Sequence, residues 1–222
     1  MDILEAMQRR HSVRQYLETP LSDEIRDRLQ QEAEACSREG GLHLQLITDE
    51  PDAFSGALAH YGRFSGVRNY IVLAGKEAPD LLERAGYYGE RLVITAQQLG
   101  LNTCWVALSF SRRKTRYTLD RGEKFLLVIS LGYGAAQGTP HRSKPVSRLI
   151  RCEDPVPDWF RRGAEYALLA PTAMNQQRFL LELVSDRTVR ASALPGPWSR
   201  LDLGIVKYHF EQGAGPENFS WA

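Results

Sequence analysis

The 222-residue sequence predicts an α+β protein with its strands gathered in one sheet-bearing core. Three observations carry that expectation. Helical and extended patterns interleave along the chain. One long amphipathic helix, about Asp80 to Leu99, leads into short apolar segments of the kind buried inside a sheet. A hydrophobic share of 43% and a charged share of 25% match an ordinary globular chain, which argues against disordered and collagen-like classes.

Taken in order, residues 2–9 form a short helix that delivers Arg9 and Arg10 to its end. Thr19-Pro20-Leu21-Ser22-Asp23-Glu24 is a helix start, with Ser22 as the N-cap of a helix over 23–37. Glu39-Gly40-Gly41 breaks the chain, and Leu42 to Ile47 alternates as a half-buried strand does. Asn69 to Ala74 is an apolar strand bounded by Gly75. In the 80–99 helix, Leu81, Leu82, Ala85, Tyr88, Leu92, Thr95, Ala96 and Leu99 fall at spacings of three and four, and Gly100 stops it. Asn102–Val106 and Phe125–Leu131 read as buried strands, and 134–147 as a Gly-, Pro- and base-rich loop. Then come a helix over Trp159–Leu169, a strand over Phe179–Ser185 and an amphipathic helix over Leu201–Gln212.

Charge and cysteine content narrow the function. With 28 Lys and Arg against 27 Asp and Glu, the net charge of +1 gives no general pull toward nucleic acid or an anionic membrane, so any anion site is local. No apolar run approaches the ~18–20 residues that span a bilayer. Met1-Asp2-Ile3-Leu4-Glu5 is acidic where a signal peptide needs a basic segment. Cys36, Cys104 and Cys152 are odd in number and widely spaced, which argues against a disulfide framework or a zinc site. The cytoplasm is the expected compartment.

Three segments carry candidate chemistry. Arg10-His11-Ser12-Val13-Arg14 concentrates guanidinium and hydroxyl donors within one turn of chain, as a phosphate monoester with its three acceptor oxygens requires. A second basic cluster, His141-Arg142-Ser143-Lys144-Pro145, offers two cations two apart in an extended loop, able to close over the same anion. The other segment, Ala170-Pro171-Thr172-Ala173-Met174-Asn175-Gln176-Gln177, is a polar turn that can face a flat heterocycle. Other patterns carry less. Gly132 to Gly138 has one residue too many for a dinucleotide fingerprint and runs into Thr139-Pro140 where a helix must start. His209 and Glu211 diverge on a helix, so His209 reads as a packing or capping residue rather than a metal ligand. Cys104, in a buried strand, reads as inert.

Arg10-His11-Ser12-x-Arg14 resembles the N-terminal phosphate-binding motif of the nitroreductase family, and Arg142-Ser143-Lys144 resembles the basic pair that meets the same phosphate. Glu90 to Trp105 is similar to that family's central helix and following strand, and Phe125 to Gly134 to the next strand. The likeness runs through about residues 8–150. One feature departs. The family's Ala-Pro-Ser-x-x-Asn-x-Gln turn belongs near residue 36, where this chain reads Glu34-Ala35-Cys36-Ser37-Arg38-Glu39-Gly40; a comparable turn stands at Ala170–Gln177 instead, ahead of the Phe179–Val184 strand.

The resemblance implies a fused, degenerate dimer in one chain. Its central mixed or antiparallel sheet is surrounded by helices and internally duplicated about a pseudo-two-fold, with residues 1–150 carrying the phosphate site and 151–222 completing it. It implies FMN held by Arg10, His11, Ser12, Arg14, Ala107, Leu108, Arg142, Lys144, Pro171, Thr172, Ala173 and Asn175, with no obligatory side-chain acid or base. It implies NAD(P)H as reductant, a nitroaromatic or quinone-like small molecule as electron acceptor, and a monomer, since the usual interface is internal. Acceptor choice is expected to reside in 51–68 and 109–118. Ala107 and Leu108 stand where glycines are usual, so the alternative is a protein that stores or senses FMN without turnover.

Overall fold

The computed structural model describes residues 1–222. Helix α1 (Ile3–Arg9) begins at Asp2, whose carboxylate accepts from the Glu5 N–H at 2.8 Å. Helix α2 (Asp23–Gly40) begins at Ser22, whose hydroxyl accepts from the Ile25 N–H at 3.4 Å. It runs one turn past the expected end because the stop is Gly41, which takes the left-handed conformation at φ 57°.

After β1 (His43–Ile47) and the short α3 (Ala57–Tyr61), β2 (Asn69–Lys76) runs on through Gly75. Helix α4 (Leu81–Gln98) and strand β3 (Asn102–Val106) follow the sequence pattern closely, and β4 (Glu123–Gly132) is slightly longer than expected. These strands form an antiparallel sheet in the order β1-β2-β4-β3. Its central pair registers Ile71 with Ile129 and Val72 with Val128, all four side chains buried.

The single sheet expected from the sequence is corrected here to two. The second, in the order β5-β6-β7-β8, comprises β5 (Ile150–Arg151), β6 (Phe179–Ser185), β7 (Thr188–Ala193) and β8 (Ser220–Trp221). Its middle pair is antiparallel and both outer pairs are parallel, so the strand pairing of the first sheet is not repeated in it. Two-residue strands have no periodicity to read, and β7 is a short, mostly half-buried Thr/Ser/Ala-rich stretch without a clear apolar alternation; pairing with β6 supplies what the local pattern lacks.

Helices α5 (Asp158–Ala167) and α6 (Ser199–Ala214) complete the fold. Helix α4 packs on the first sheet, α6 on the second, and the two helices pack on each other. They approach closely: a Cβ at Gly86 would lie 2.0 Å from the Leu201 carbonyl oxygen, and one at Gly204 would lie 1.9 Å from that of Glu83. One hydrophobic core therefore joins Leu73, Leu92 and Leu127 to Phe160, Phe179 and Phe210. Each such fully buried side chain contributes roughly 1.5–3 kcal/mol. No helix is long and apolar enough to cross a membrane.

The segment after α1 is laid along the first sheet. The Val13 N–H donates to the Thr103 carbonyl at 3.0 Å and the Leu17 N–H to that of Tyr133 at 2.8 Å. Buried Val13 and Tyr16 anchor this stretch, which leaves Ser12 and Arg14 facing outward beside β3.

Candidate functional site

A crevice of about 300 Å³ opens where this segment, the end of β3, the 171–174 turn and the start of α6 converge. That volume is at the lower end of the ~300–1,000 Å³ typical of small-molecule sites. Ser12 and Arg14 line it from the N-terminal segment, Cys104 to Leu108 from β3 and its exit, and Pro171, Thr172, Ala173 and Met174 from the turn. Pro197, Trp198, Leu201, Asp202 and Ile205 close it from α6 and the residues before it. Of the residues expected at the site, Ser12, Arg14, Ala107, Leu108, Pro171, Thr172 and Ala173 are thus brought together from segments about 150 residues apart.

Arg10 lies elsewhere. Its side chain is 3% exposed and its Nε is 3.8 Å from Glu90 Oε1. Glu90 also accepts from Trp105 Nε1 at 2.9 Å, and His209 Nε2 lies 2.9 Å from Glu90 Oε1. This largely buried quartet ties the end of α1 to α4, β3 and α6, and Arg10 belongs to it rather than to the lining of the crevice. Burial works against its charge and Glu90 works for it. The Arg10 Nε nevertheless lacks a hydrogen-bond partner. A small cavity of about 130 Å³ beside it is also lined by His11, His141 and Ser143. Burial, then the neighbouring Arg10 and His141, lower the affinity of His11 for a proton. His209 is the packing residue the sequence suggested: its Nδ1 lies 3.2 Å from the Tyr166 carbonyl oxygen.

The two late motifs are bonded to each other. Lys144 Nζ donates to the carbonyls of Gln176 and Gln177 at 2.6 and 2.9 Å, and its N–H donates to Gln177 Oε1 at 2.7 Å. Asn175 Nδ2 and Gln177 Nε2 both donate to the Arg142 carbonyl, at 2.8 and 2.9 Å. Lys144 and Asn175 therefore brace the turn and are not among the residues lining the crevice. The exposed Arg142 side chain forms no ion pair. The bracing offsets backbone strain: Met174, Asn175 and Gln177 hold φ of 52°, 54° and 48°, which costs of order 1–3 kcal/mol each for non-glycine residues.

Asp202 was missed by sequence reasoning. Both carboxylate oxygens lie 3.1 Å from the Ala173 nitrogen and accept its N–H. Burial pushes the acid up to about 7, while the Ala173 N–H pulls the other way. The available signal was an acid interrupting the apolar run Leu201-Asp202-Leu203-Gly204-Ile205. Trp198, just before α6, is also a lining residue and adopts φ 62°.

A second cavity, of about 390 Å³, shares Arg14 and Trp105 to Leu108 with the first and adds Tyr61, Gly62, Arg63, Phe64 and Ser109. Those additions fall inside the two segments expected to govern acceptor choice. Large apolar side chains crowd the joint mouth: Leu108, Met174 and Tyr61 are 77%, 81% and 89% exposed. Away from these cavities, His43, Asp120 and Glu123 bring three potential metal ligands within 4.8 Å of one another. The grouping has a structural explanation, since Glu123 Oε2 bonds His43 Nδ1 at 2.7 Å and accepts the Asp120 N–H at 2.8 Å.

Three solved structures share this fold. A structure from Thermotoga maritima, a "putative nitroreductase", is 21% identical over 98% of this chain and 85% of that one, with a TM-score of 0.69. One from Desulfovibrio desulfuricans, described in the same words and in complex with FMN, is 20% identical over 71% and 99%, with a TM-score of 0.56. A third, from Parabacteroides distasonis, a "putative NADH dehydrogenase/NAD(P)H nitroreductase", is 24% identical over 66% and 95%, with a TM-score of 0.53. At these identities the likeness is one of fold. Among curated proteins none matches the chain. The family model described as "Putative TM nitroreductase" matches residues 2–214. The chain belongs to that nitroreductase family.

Proposed function

We propose that this protein is an FMN-dependent oxidoreductase of nitroreductase type, reduced by NAD(P)H and reoxidised by a nitroaromatic, quinone or similar electron-poor molecule in ping-pong turnover. The observation that carries the reading is the single crevice in which Ser12 and Arg14, the backbone after β3 and the Pro171–Met174 turn face one another. The donor set suits FMN. Val106, Leu127, Leu201 and Ile205 give the crevice apolar lining suited to a flat ring, and Ser12, Arg14, Thr172 and Asp202 add polar groups. The unpartnered Arg10 Nε, with His11 and Ser143 beside the smaller cavity, provides donors for a phosphate. Further support comes from the FMN complex of the fold-related Desulfovibrio protein.

In this reading Arg10, His11, Ser12 and Arg142 hold the phosphate, with Arg14 nearer the ring. Ala107 and Leu108 present backbone to the ring, and Pro171, Thr172 and Ala173 close its other edge. Lys144 and Asn175 act one step removed, by fixing the turn. When bound, FMN supplies two-electron hydride chemistry that no side chain here can provide. The chain's own contribution is to hold and polarise the ring, exclude water with Leu108 and Met174, and admit the acceptor through the Tyr61–Phe64 cavity. Residues 1–150 and 151–222 act as two parts of one monomeric unit. Three free cysteines suit the reducing cytoplasm.

Steady-state oxidation of NADH and NADPH by flavin-loaded protein, with nitro compounds and quinones as acceptors, tests the reading. Turnover above free FMN is expected. FMN binding with photoreduction but no reduction by either nucleotide would instead favour flavin storage or sensing, the reading to which the side chains at Ala107 and Leu108 lend some weight.

A further inference from the structure

Asp202 is the one carboxylate in the main crevice, and nothing in the flavin reading above uses it. It is 4% exposed and forms no ion pair. Its two oxygens share a single donor, the Ala173 N–H. A carboxylate offers about four acceptor sites, so most of its capacity is unfilled. The charged and titratable groups on surrounding elements do not neutralise it. Arg14 stands on another wall of the crevice. Cys104 on β3 is held as a thiol by burial. Glu83 on α4 is paired with Lys207. The 171–174 part of the turn contains no titratable side chain.

We propose that Asp202 is a positioning residue that holds the Ala173 N–H and makes this crevice grip a flavin ring more tightly below neutral pH than above it. The inference rests on the flavin reading of the crevice and adds a residue and a pH dependence to it. In the open crevice, burial already pushes the carboxyl up to about 7. A flat ring that fills the crevice expels the remaining water and removes solvation from the charged form. The liganded carboxyl then holds its proton to still higher pH. By linkage, the protonated protein must bind the ring more tightly by the same factor. Affinity is full below the ligand-free value and falls as pH rises from it toward the liganded value. The neutral acid can also donate its O–H to a ring carbonyl, which the carboxylate cannot.

Riboflavin is the probe, because it carries the ring without a phosphate that titrates in the same range. Its dissociation constant, read by fluorescence quenching, is expected to rise about tenfold between pH 6 and pH 8.5, as a one-unit upward shift on binding requires. Asp202→Asn keeps the shape and an oxygen to accept the Ala173 N–H but cannot ionise, so its curve should be flat. A flat wild-type curve, or an unchanged slope in Asp202→Asn, overturns the proposal. Carboxyl carbon-13 NMR on wild-type protein gives an answer even if the variant fails to fold. One aspartate should titrate near neutrality and shift upward with riboflavin, and its absence counts against the role. Failure of both riboflavin and FMN to bind at any pH overturns the flavin reading as well, a result distinct from pH-independent binding.

Discussion

Arg14 faces the crevice without an ion-pair partner, whereas Arg10, four residues earlier, is buried against Glu90. Their substitutions should therefore differ in kind. Arg14→Glu replaces a cation on the crevice wall by a carboxylate that repels the dianionic FMN, and should abolish FMN retention, weakening fluorescence-titrated binding at least about tenfold while leaving the urea midpoint near wild type. Glu90→Ala strips the cluster of its fully buried acid, leaving Arg10 uncompensated and Trp105 Nε1 and His209 Nε2 without their partner. It should cost about 3–5 kcal/mol, read from urea unfolding. The sequence displays both arginines equally. Which is buried depends on Glu90, eighty positions away, and no local pattern records that. Asp202 was hidden for the same reason, since its meaning comes from Ala173 folding over it.

At the scale of elements, the site depends on how closely α4 and α6 approach, because α6 carries Leu201, Asp202 and Ile205 into the crevice. Gly86 and Gly204 permit that contact. Gly204→Ala forces a methyl group into the Glu83 carbonyl, so we expect a loss of about 1–3 kcal/mol in urea unfolding, accompanied by weaker FMN binding as α6 shifts. Elements with strong patterns were legible: Asn102–Val106 and Phe179–Ser185 have the bounds the sequence suggested, and α4 lies within a residue of its expected span at each end. Strands β5, β7 and β8 were not, because their existence is decided by neighbours in the sheet rather than by their own residues. The polar turn at 170–177 was legible as a site, but the division of labour within it was not. Whether Asn175 faces a ligand or the Arg142 carbonyl is settled by left-handed backbone that single-residue propensities do not specify.

Across the whole molecule, one core shares residues from both proposed halves, with Leu127 and Phe210 among its members. A chain built this way should unfold in one transition, with near- and far-ultraviolet circular dichroism coinciding. Separate transitions for 1–150 and 151–222 would contradict that. The same arrangement leads us to expect a monomer by sedimentation, since the N-terminal segment and the late turn already meet in one crevice. The central claim is that the N-terminal Arg/Ser segment and the late polar turn grip one flavin between them. Quenching of FMN fluorescence on titration with this protein tests it most directly. A sharp end point at one FMN per chain is the predicted result, and the absence of saturable quenching would contradict it.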